Sequence, residues 1–204
     1  MTEETEELEL KQRLSLIESM IAEGRRTTES WGWVFVLWGV AYYVAIAWSV
    51  LGNHASLAWS VTMMAAMIFT FGIVAWRAAR GRHKSQPATT LGRAVTSVWI
   101  AIGISFLVLM PVLAIGKLSN SNLIVAVIGT LLGTANGASS MILKWKLQFA
   151  CAIVWWALAI VACLGTERQS FIALLIALFF CQILFGIYGM IREAQGHRPG
   201  DYHA

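Results

Sequence analysis

The sequence predicts an all-α integral membrane protein: a bundle of six transmembrane helices with both termini in the cytoplasm, preceded by a cytoplasmic amphipathic helix. Three observations lead to this prediction. Hydrophobic residues make up 58% of the 204 residues and charged residues only 13%, whereas about 25% of an average soluble domain is charged. The apolar residues form long runs separated by short polar breaks. Lys and Arg fall almost entirely on one predicted side of the membrane.

The charges are unevenly distributed along the chain. Residues 1–30 contain eight acidic and four basic residues, a net charge of −4, whereas the rest contains three acidic and eleven basic residues, a net charge of +8. The first apolar run therefore follows an acidic segment, whereas a signal peptide begins with basic residues. We expect the first span to be retained and to act as its own insertion signal.

Residues 1–30 are predicted to form the cytoplasmic amphipathic helix, which starts near Thr5 and stops at Gly24. Four apolar residues recur at helical spacing and form one stripe along it. The stripe consists of Leu10, Leu14, Ile17 and Ile21. About two heptads is short for a coiled coil. The helix therefore either packs against its own bundle or the membrane interface, or docks a cytoplasmic protein or a second copy of the chain.

Six stretches are close to the roughly 20 apolar residues that a transmembrane helix needs. They are residues 31–51, 57–76, 94–115, 123–141, 147–164 and 171–191. Away from their ends they contain no Asp, Glu, Lys, Arg or His. Several of the breaks are rich in Gly, Asn and Ser, which predicts tight connections. The only polar break between the fourth and fifth stretches is residues 144–146. Residues 192–204 are left as a short cytoplasmic tail.

The orientation follows from the distribution of basic residues. With the N-terminus inside, the cytoplasmic segments carry thirteen Lys and Arg residues, and the outer loops carry only Lys117 and Arg168. This bias predicts a cell (inner) membrane protein with both termini in the cytoplasm.

The positive-inside rule alone explains the basic loop after the second span, although the loop could also contact lipid headgroups. Its basic residues are Arg77, Arg80, Arg82 and Lys84. The lipid bilayer is the expected surroundings, and no nucleic-acid partner is expected.

Three glycines at a spacing of four residues, Gly129, Gly133 and Gly137, mark one face of the fourth span. A face without side chains lets another helix approach closely, as in a glycine zipper. The pattern leaves three alternatives: packing on another span of the same chain, packing on a neighbouring subunit, or a narrow pathway lined by backbone. A row of small residues in the third span is a candidate facing surface. That row is Ser97, Ala101 and Ser105.

Polar side chains within the spans are costly and therefore need a partner or a purpose. They can act as hydrogen-bonding links between helices, or they can line one pocket with aromatic residues, which would suit a neutral or amphipathic ligand. The candidates for such a pocket are Trp38, Tyr42, Tyr43, Asn136, Trp155, Trp156 and Gln182. Pro111 is predicted to kink the third span.

The charge-free spans disfavour several classes of function. Acid–base and metal–carboxylate chemistry lack their usual residues there, and the histidines fall in loops or in the tail. We therefore predict no catalytic residue, no metal site and no cofactor. The preferred function is a non-enzymatic anchor, sensor or accessory subunit that works through assembly. The alternative is a channel or facilitator for a small neutral or hydrophobic solute or lipid, and an intramembrane enzyme is a remote third.

Overall fold

A computed structural model describes residues 3–52, 55–80, 90–115 and 120–196 of the chain. Within these ranges the regular structure is entirely helical, and no strand occurs. The elements are α1 (Glu3–Ser30), α2 (Gly32–Leu51), α3 (Ala55–Ala79), α4 (Thr90–Ile115), α5 (Ser121–Leu143), α6 (Lys146–Leu164), α7 (Glu167–Leu178), a π-helical segment (Phe179–Leu184) and α8 (Phe185–Gly196). Six of these helices or helical runs are long and apolar enough to cross a membrane. The predicted all-α bundle with six membrane-spanning helices is thus confirmed at this level.

The surface of the bundle is apolar where a soluble protein would be polar. On α3, Ile68, Phe69 and Phe71 are each more than 60% exposed. Lipid covers such side chains at no hydrophobic cost, and a helix satisfies its own backbone hydrogen bonds in the hydrocarbon. The bilayer therefore explains both the all-helical fold and the exposed apolar residues.

α5 is the central helix. In its apolar stretch 56% of the residues are buried, against 11% in α3 and in α4. α5 and α6 form an antiparallel hairpin, and its turn lies at the predicted break between the fourth and fifth spans. Lys144 ends α5 in the left-handed conformation with φ 49°, and the backbone N–H of Trp145 donates to the carbonyl of Ser140 at 2.9 Å.

The glycine face of α5 packs on α6 within the same chain. A Cβ atom on Gly129 would lie 2.8 Å from the carbonyl oxygen of Trp155. Gly133 and Gly137 lie against the indole ring of Trp156. The backbones of α5 and α6 come close at Gly129, and at Gly133 and Gly137 the missing side chains make room for the ring of Trp156.

The predicted facing row in α4 does not occupy this place. Ser97 and Ala101 are exposed, and the hydroxyls of Ser97 and Ser105 bond to carbonyls of their own helix, four residues earlier. α6 follows α5 directly and therefore reaches the glycine face first. α4 continues as a helix through Pro111, the site of the predicted kink, to Ile115.

α1 passes through the stop that was predicted at Gly24. A Cβ atom at this position would lie 2.6 Å from a methyl carbon of Leu143. Gly24 therefore lets α1 approach the end of α5 and does not terminate the helix. Only Trp31 separates the end of α1 from the start of α2, so the two helices form one nearly continuous rod.

Several helix ends meet at one end of the bundle. The guanidinium of Arg25 donates to the carbonyls of Leu143 (2.9 Å) and Lys144 (2.6 Å), and Arg192 lies 3.9 Å from Glu29. At the opposite end, the side chain of Asn122 donates to the carbonyl of Gly165 at 3.3 Å. The segments predicted to be cytoplasmic around residues 25, 144 and 192 thus share one end.

The helix that contains the last predicted span begins at Glu167, before the apolar stretch of residues 171–191. Thr166 accepts a hydrogen bond from the backbone N–H of Gln169, and the Gln169 side chain accepts one from the backbone N–H of Thr166. This reciprocal capping box starts α7 at Glu167. The Thr-x-x-Gln pattern was visible in the sequence and would have placed the start correctly.

Replacement of Gly129 by alanine is expected to lower the stability of the bundle by about 1–3 kcal/mol. The added methyl group would meet the backbone oxygen of Trp155, which can move only if α6 moves. Gly103→Ala is the matched control, because nothing lies within 4 Å of a Cβ atom at Gly103 in the middle of α4. Thermal unfolding of the purified protein in detergent measures both, and equal melting temperatures would contradict the close packing.

Candidate functional site

The aromatic residues predicted to line a pocket are mostly engaged in contacts between helices. The indole nitrogen of Trp38 donates to the hydroxyl of Thr70 at 3.2 Å. The rings of Tyr42 and Trp59 lie 6.0 Å apart in an edge-on arrangement. Both contacts join α2 to α3, and they place Trp38 and Tyr42 at the seam between these two helices.

Tyr43 and Trp156 also have structural partners. The hydroxyl of Tyr43 donates to the carbonyl of Leu175 at 2.6 Å, which joins α2 to α7. The indole of Trp156 covers Gly133 and Gly137. Among the seven predicted pocket residues, this leaves Asn136, Trp155 and Gln182 as polar groups in the interior.

These three residues share the interior with two residues that the sequence analysis did not single out. Each of the five is at least 95% buried, and each has a side-chain atom that no protein group in the described chain satisfies. We call this set the polar core, and it consists of Asn136, Ser139, Gln148, Trp155 and Gln182. A buried polar atom without a partner costs about 1–3 kcal/mol, so the set is energetically expensive for a protein in lipid.

The polar core lies within one continuous apolar cluster. On α5, Leu132 and Leu143 flank Asn136 and Ser139 along one face of the helix, and both belong to that cluster. Trp155 belongs to it as well, together with Cys151, one turn before it on α6. Because these residues of α5 and α6 belong to the same apolar cluster, the two helices contribute side chains to one interior.

The π-helical segment that carries the buried Gln182 packs against α6. The thiol of Cys181 donates to the carbonyl of Cys151 at 3.7 Å, which holds the π-helical segment against α6. Gln148 lies three residues before Cys151, on the same side of α6. A Cβ atom on Gly39 would lie 3.0 Å from the Cβ of Gln182, so α2 closes the other side.

An aromatic layer separates the polar core from the end of the bundle where Arg25 lies. The ring of Phe35 lies 5.3 Å from that of Trp99 and 5.4 Å from that of Phe185, and Trp145 lies 5.3 Å from Phe185. Gln148 follows Trp145 by three residues, and Gln182 precedes Phe185 by three residues, so each lies about 5 Å deeper at 1.5 Å per residue. These edge-to-face and tilted ring contacts lie between the polar core and this end of the bundle.

The π-helical segment is the second unusual feature of this region. π turns are rare, and they appear mostly as single turns within α-helices, often at functional sites. The wider turn changes the rotational phase of the side chains, and here Cys181 and Gln182 face the interior. The sequence carries no pattern that marks such a turn, because it depends on packing against α2 and α6.

The chemistry available in the polar core is neutral hydrogen bonding. It offers amide groups, a hydroxyl and an indole N–H, with no ionisable side chain among them. Across the described residues, no group of three or more His, Cys, Asp and Glu side chains is placed to hold a metal ion.

The first half of α1 is a second candidate, on the surface. Leu10, Leu14 and Ile17 are each more than half exposed, whereas Ile21 is half-buried. The same face of the helix continues into Gly24 and Thr28, which are buried in the bundle. The stripe therefore begins as an uncovered surface and ends as a packing surface.

The basic residues predicted to contact headgroups are described only in part. The guanidinium of Arg80 stacks 4.3 Å from the ring centre of Trp76 at the end of α3, an amphipathic pair suited to the membrane interface. The side chain of Arg77, and both Arg82 and Lys84, lie outside the described residues.

Comparison with known proteins assigns no family to this chain. No family model matches it, and neither a curated protein nor a solved structure does.

Arg25 was not among the candidate site residues from the sequence, yet its contacts predict that its replacement lowers the stability of the bundle. Arg25→Gln is expected to lower stability by about 1.5–3 kcal/mol, because the charged donor caps the last carbonyls of α5. Arg25→Lys should recover only part of this, since one ammonium cannot reproduce both guanidinium bonds. Arg26→Gln, at an exposed position, is the control. Thermal unfolding measures the series, and equal effects at both positions would contradict the capping role.

Proposed function

We propose that this chain is a non-enzymatic membrane component that works through assembly. Six spans in the cell membrane anchor it, and the first half of α1 docks a cytoplasmic protein. The observation that carries the proposal is the exposed apolar stripe of Leu10, Leu14 and Ile17. This stripe lies in a segment too rich in glutamate to enter hydrocarbon, so lipid is a poor cover for it. An apolar stripe on such a helix is a typical recognition surface for a groove or another helix.

The cytoplasmic location of α1 is supported by the positive-inside rule. Arg25, Lys144 and Arg192 gather at the end of the bundle from which α1 projects. The outer loops, with two basic residues in the sequence, then belong to the opposite end.

The charge of α1 supports a partner of particular chemistry. Residues 3–20 contain six glutamates but only Lys11 and Arg13 as basic residues, a net charge of −4. These two bases already pair within the helix, with Glu7 and Glu9. An apolar surface flanked by Lys and Arg complements such a helix. We therefore propose a separate protein with a basic, apolar docking surface.

Geometry favours a separate protein over a second copy of this chain. The stripe lies on the same face as Gly24 and Thr28, which points toward the interior of its own bundle. Two copies in one bilayer have the same orientation relative to the membrane. If their stripes packed on each other, each stripe would face its own bundle and the other copy at once, so the two bundles would overlap between the two helices.

A second candidate function is a facilitator for a small neutral solute, which the polar core favours. Deletion of residues 1–19 distinguishes the docking function from the facilitator function. It removes the exposed half of α1 and keeps Gly24 and Arg25, which pack against the bundle. Docking predicts that partner binding is lost while the bundle stays folded. The facilitator role predicts that flux in reconstituted vesicles stays close to that of the full chain.

Cysteine labelling tests the docking proposal. Leu14→Cys lies on the stripe, and Gln12→Cys lies on the opposite, exposed face as the matched control, both on a Cys163→Ser background. In native vesicles with the cytoplasmic side outward, we expect a membrane-impermeant maleimide to label position 14 several-fold more slowly than position 12. In purified protein reconstituted alone at low density, the two rates should become equal.

Two outcomes would contradict the proposal. Equal rates in the native membrane would show that nothing covers the stripe. Protection of position 14 that persists in the dilute, reconstituted protein would show that the membrane surface covers the stripe, and not a protein.

A further inference from the structure

The interior of the bundle carries an inference that does not depend on the docking role. We propose that the polar core is a binding site for a small uncharged molecule that both donates and accepts hydrogen bonds: water, or an amide or alcohol of a few heavy atoms. The side chains that form the site are Asn136, Ser139, Gln148, Trp155 and Gln182.

The unmatched groups define what such a molecule must offer. The amide oxygens of Asn136, Gln148 and Gln182 are acceptors without donors from the protein. The amide nitrogen of Gln148 and the indole nitrogen of Trp155 are donors without acceptors. Ser139 adds a hydroxyl that can do either. A ligand that satisfies both kinds of group must carry both donors and acceptors.

The lack of charge excludes ions from the site. None of the five side chains ionises, and the spans contain no Asp, Glu, Lys, Arg or His away from their ends. An ion moved into this interior would lose its hydration without gaining a counter-charge. The absence of charged side chains therefore favours neutral molecules at this site, and it also favours insertion of the chain into the membrane.

The π-helical segment is independent support for a site at this place. Gln182 is buried within this turn, and the absence of a side chain at Gly39 leaves room for it on the side of α2. Unusual turns of this kind are retained where they position a functional group.

Saturation-transfer NMR on the protein in nanodiscs tests the solute form of the proposal. The probes are acetamide and glycerol, with acetate and methylammonium as charged controls of similar size. We expect signal transfer to the two neutral probes only. Asn136→Leu and Gln148→Leu should each weaken it about tenfold, the loss expected for removing one well-made polar contact. Thr134→Val, on the exposed side of α5, is the matched control and should leave it unchanged.

The water form has its own readout. With ¹⁵N-labelled tryptophan, the indole N–H signal of Trp155, assigned by its loss in Trp155→Phe, should show a cross-peak to water. Far-ultraviolet circular dichroism verifies that each variant is folded. Binding of a neutral probe, or a water cross-peak alone, supports the site and identifies its occupant. Absence of both, with a melting temperature raised by Gln148→Leu, would overturn the proposal, since a dry core gains from losing an unpaired amide.

Discussion

The close packing of α5 on α6 is the constraint on which the rest of the structure depends. At Gly129 the two backbones come so near that a single methyl group would meet the carbonyl of Trp155. In lipid, where burial of apolar surface between helices gains little, such contacts supply much of the attraction. α5 thereby becomes the most buried span, and α1, α4 and α7 also pack against it.

The N-terminal helix is tied to that hairpin by polar contacts. Arg25 caps the last carbonyls of α5, and Gly24 lets α1 approach Leu143 closely. Both contacts lie next to Lys144, whose left-handed backbone makes the turn into α6. One region therefore ends α5, starts α6 and fixes the direction in which the free half of α1 projects. For the proposed docking role, this direction is the argument against a second copy as the partner.

The interior lacks charges, which favours insertion into the bilayer, but it contains unmatched polar atoms, which lower stability. Removing every charge from the spans makes insertion into the bilayer favourable, but the five side chains of the polar core leave polar atoms unmatched there. Apolar residues of similar size would avoid that cost. These five side chains lie near a π turn and near the aromatic layer of Phe35, Trp99, Trp145 and Phe185, and the proposed binding site rests on them.

Sequence alone determined the helical membrane architecture, because hydrophobic length and the need to satisfy backbone groups in lipid are local properties. It also identified the glycine row and the stripe, since both are periodic. Tertiary structure decided what each one faces: α6 lies against Gly133, although a row in α4 was expected, and Gly24 serves packing, although a helix stop was expected. It also separated Trp38, Tyr42, Tyr43 and Trp156 from the polar interior and brought in Ser139 and Gln148. Contacts between residues distant in sequence, such as Cys151 with Cys181, arise only when the helices pack, so no local pattern could reveal them.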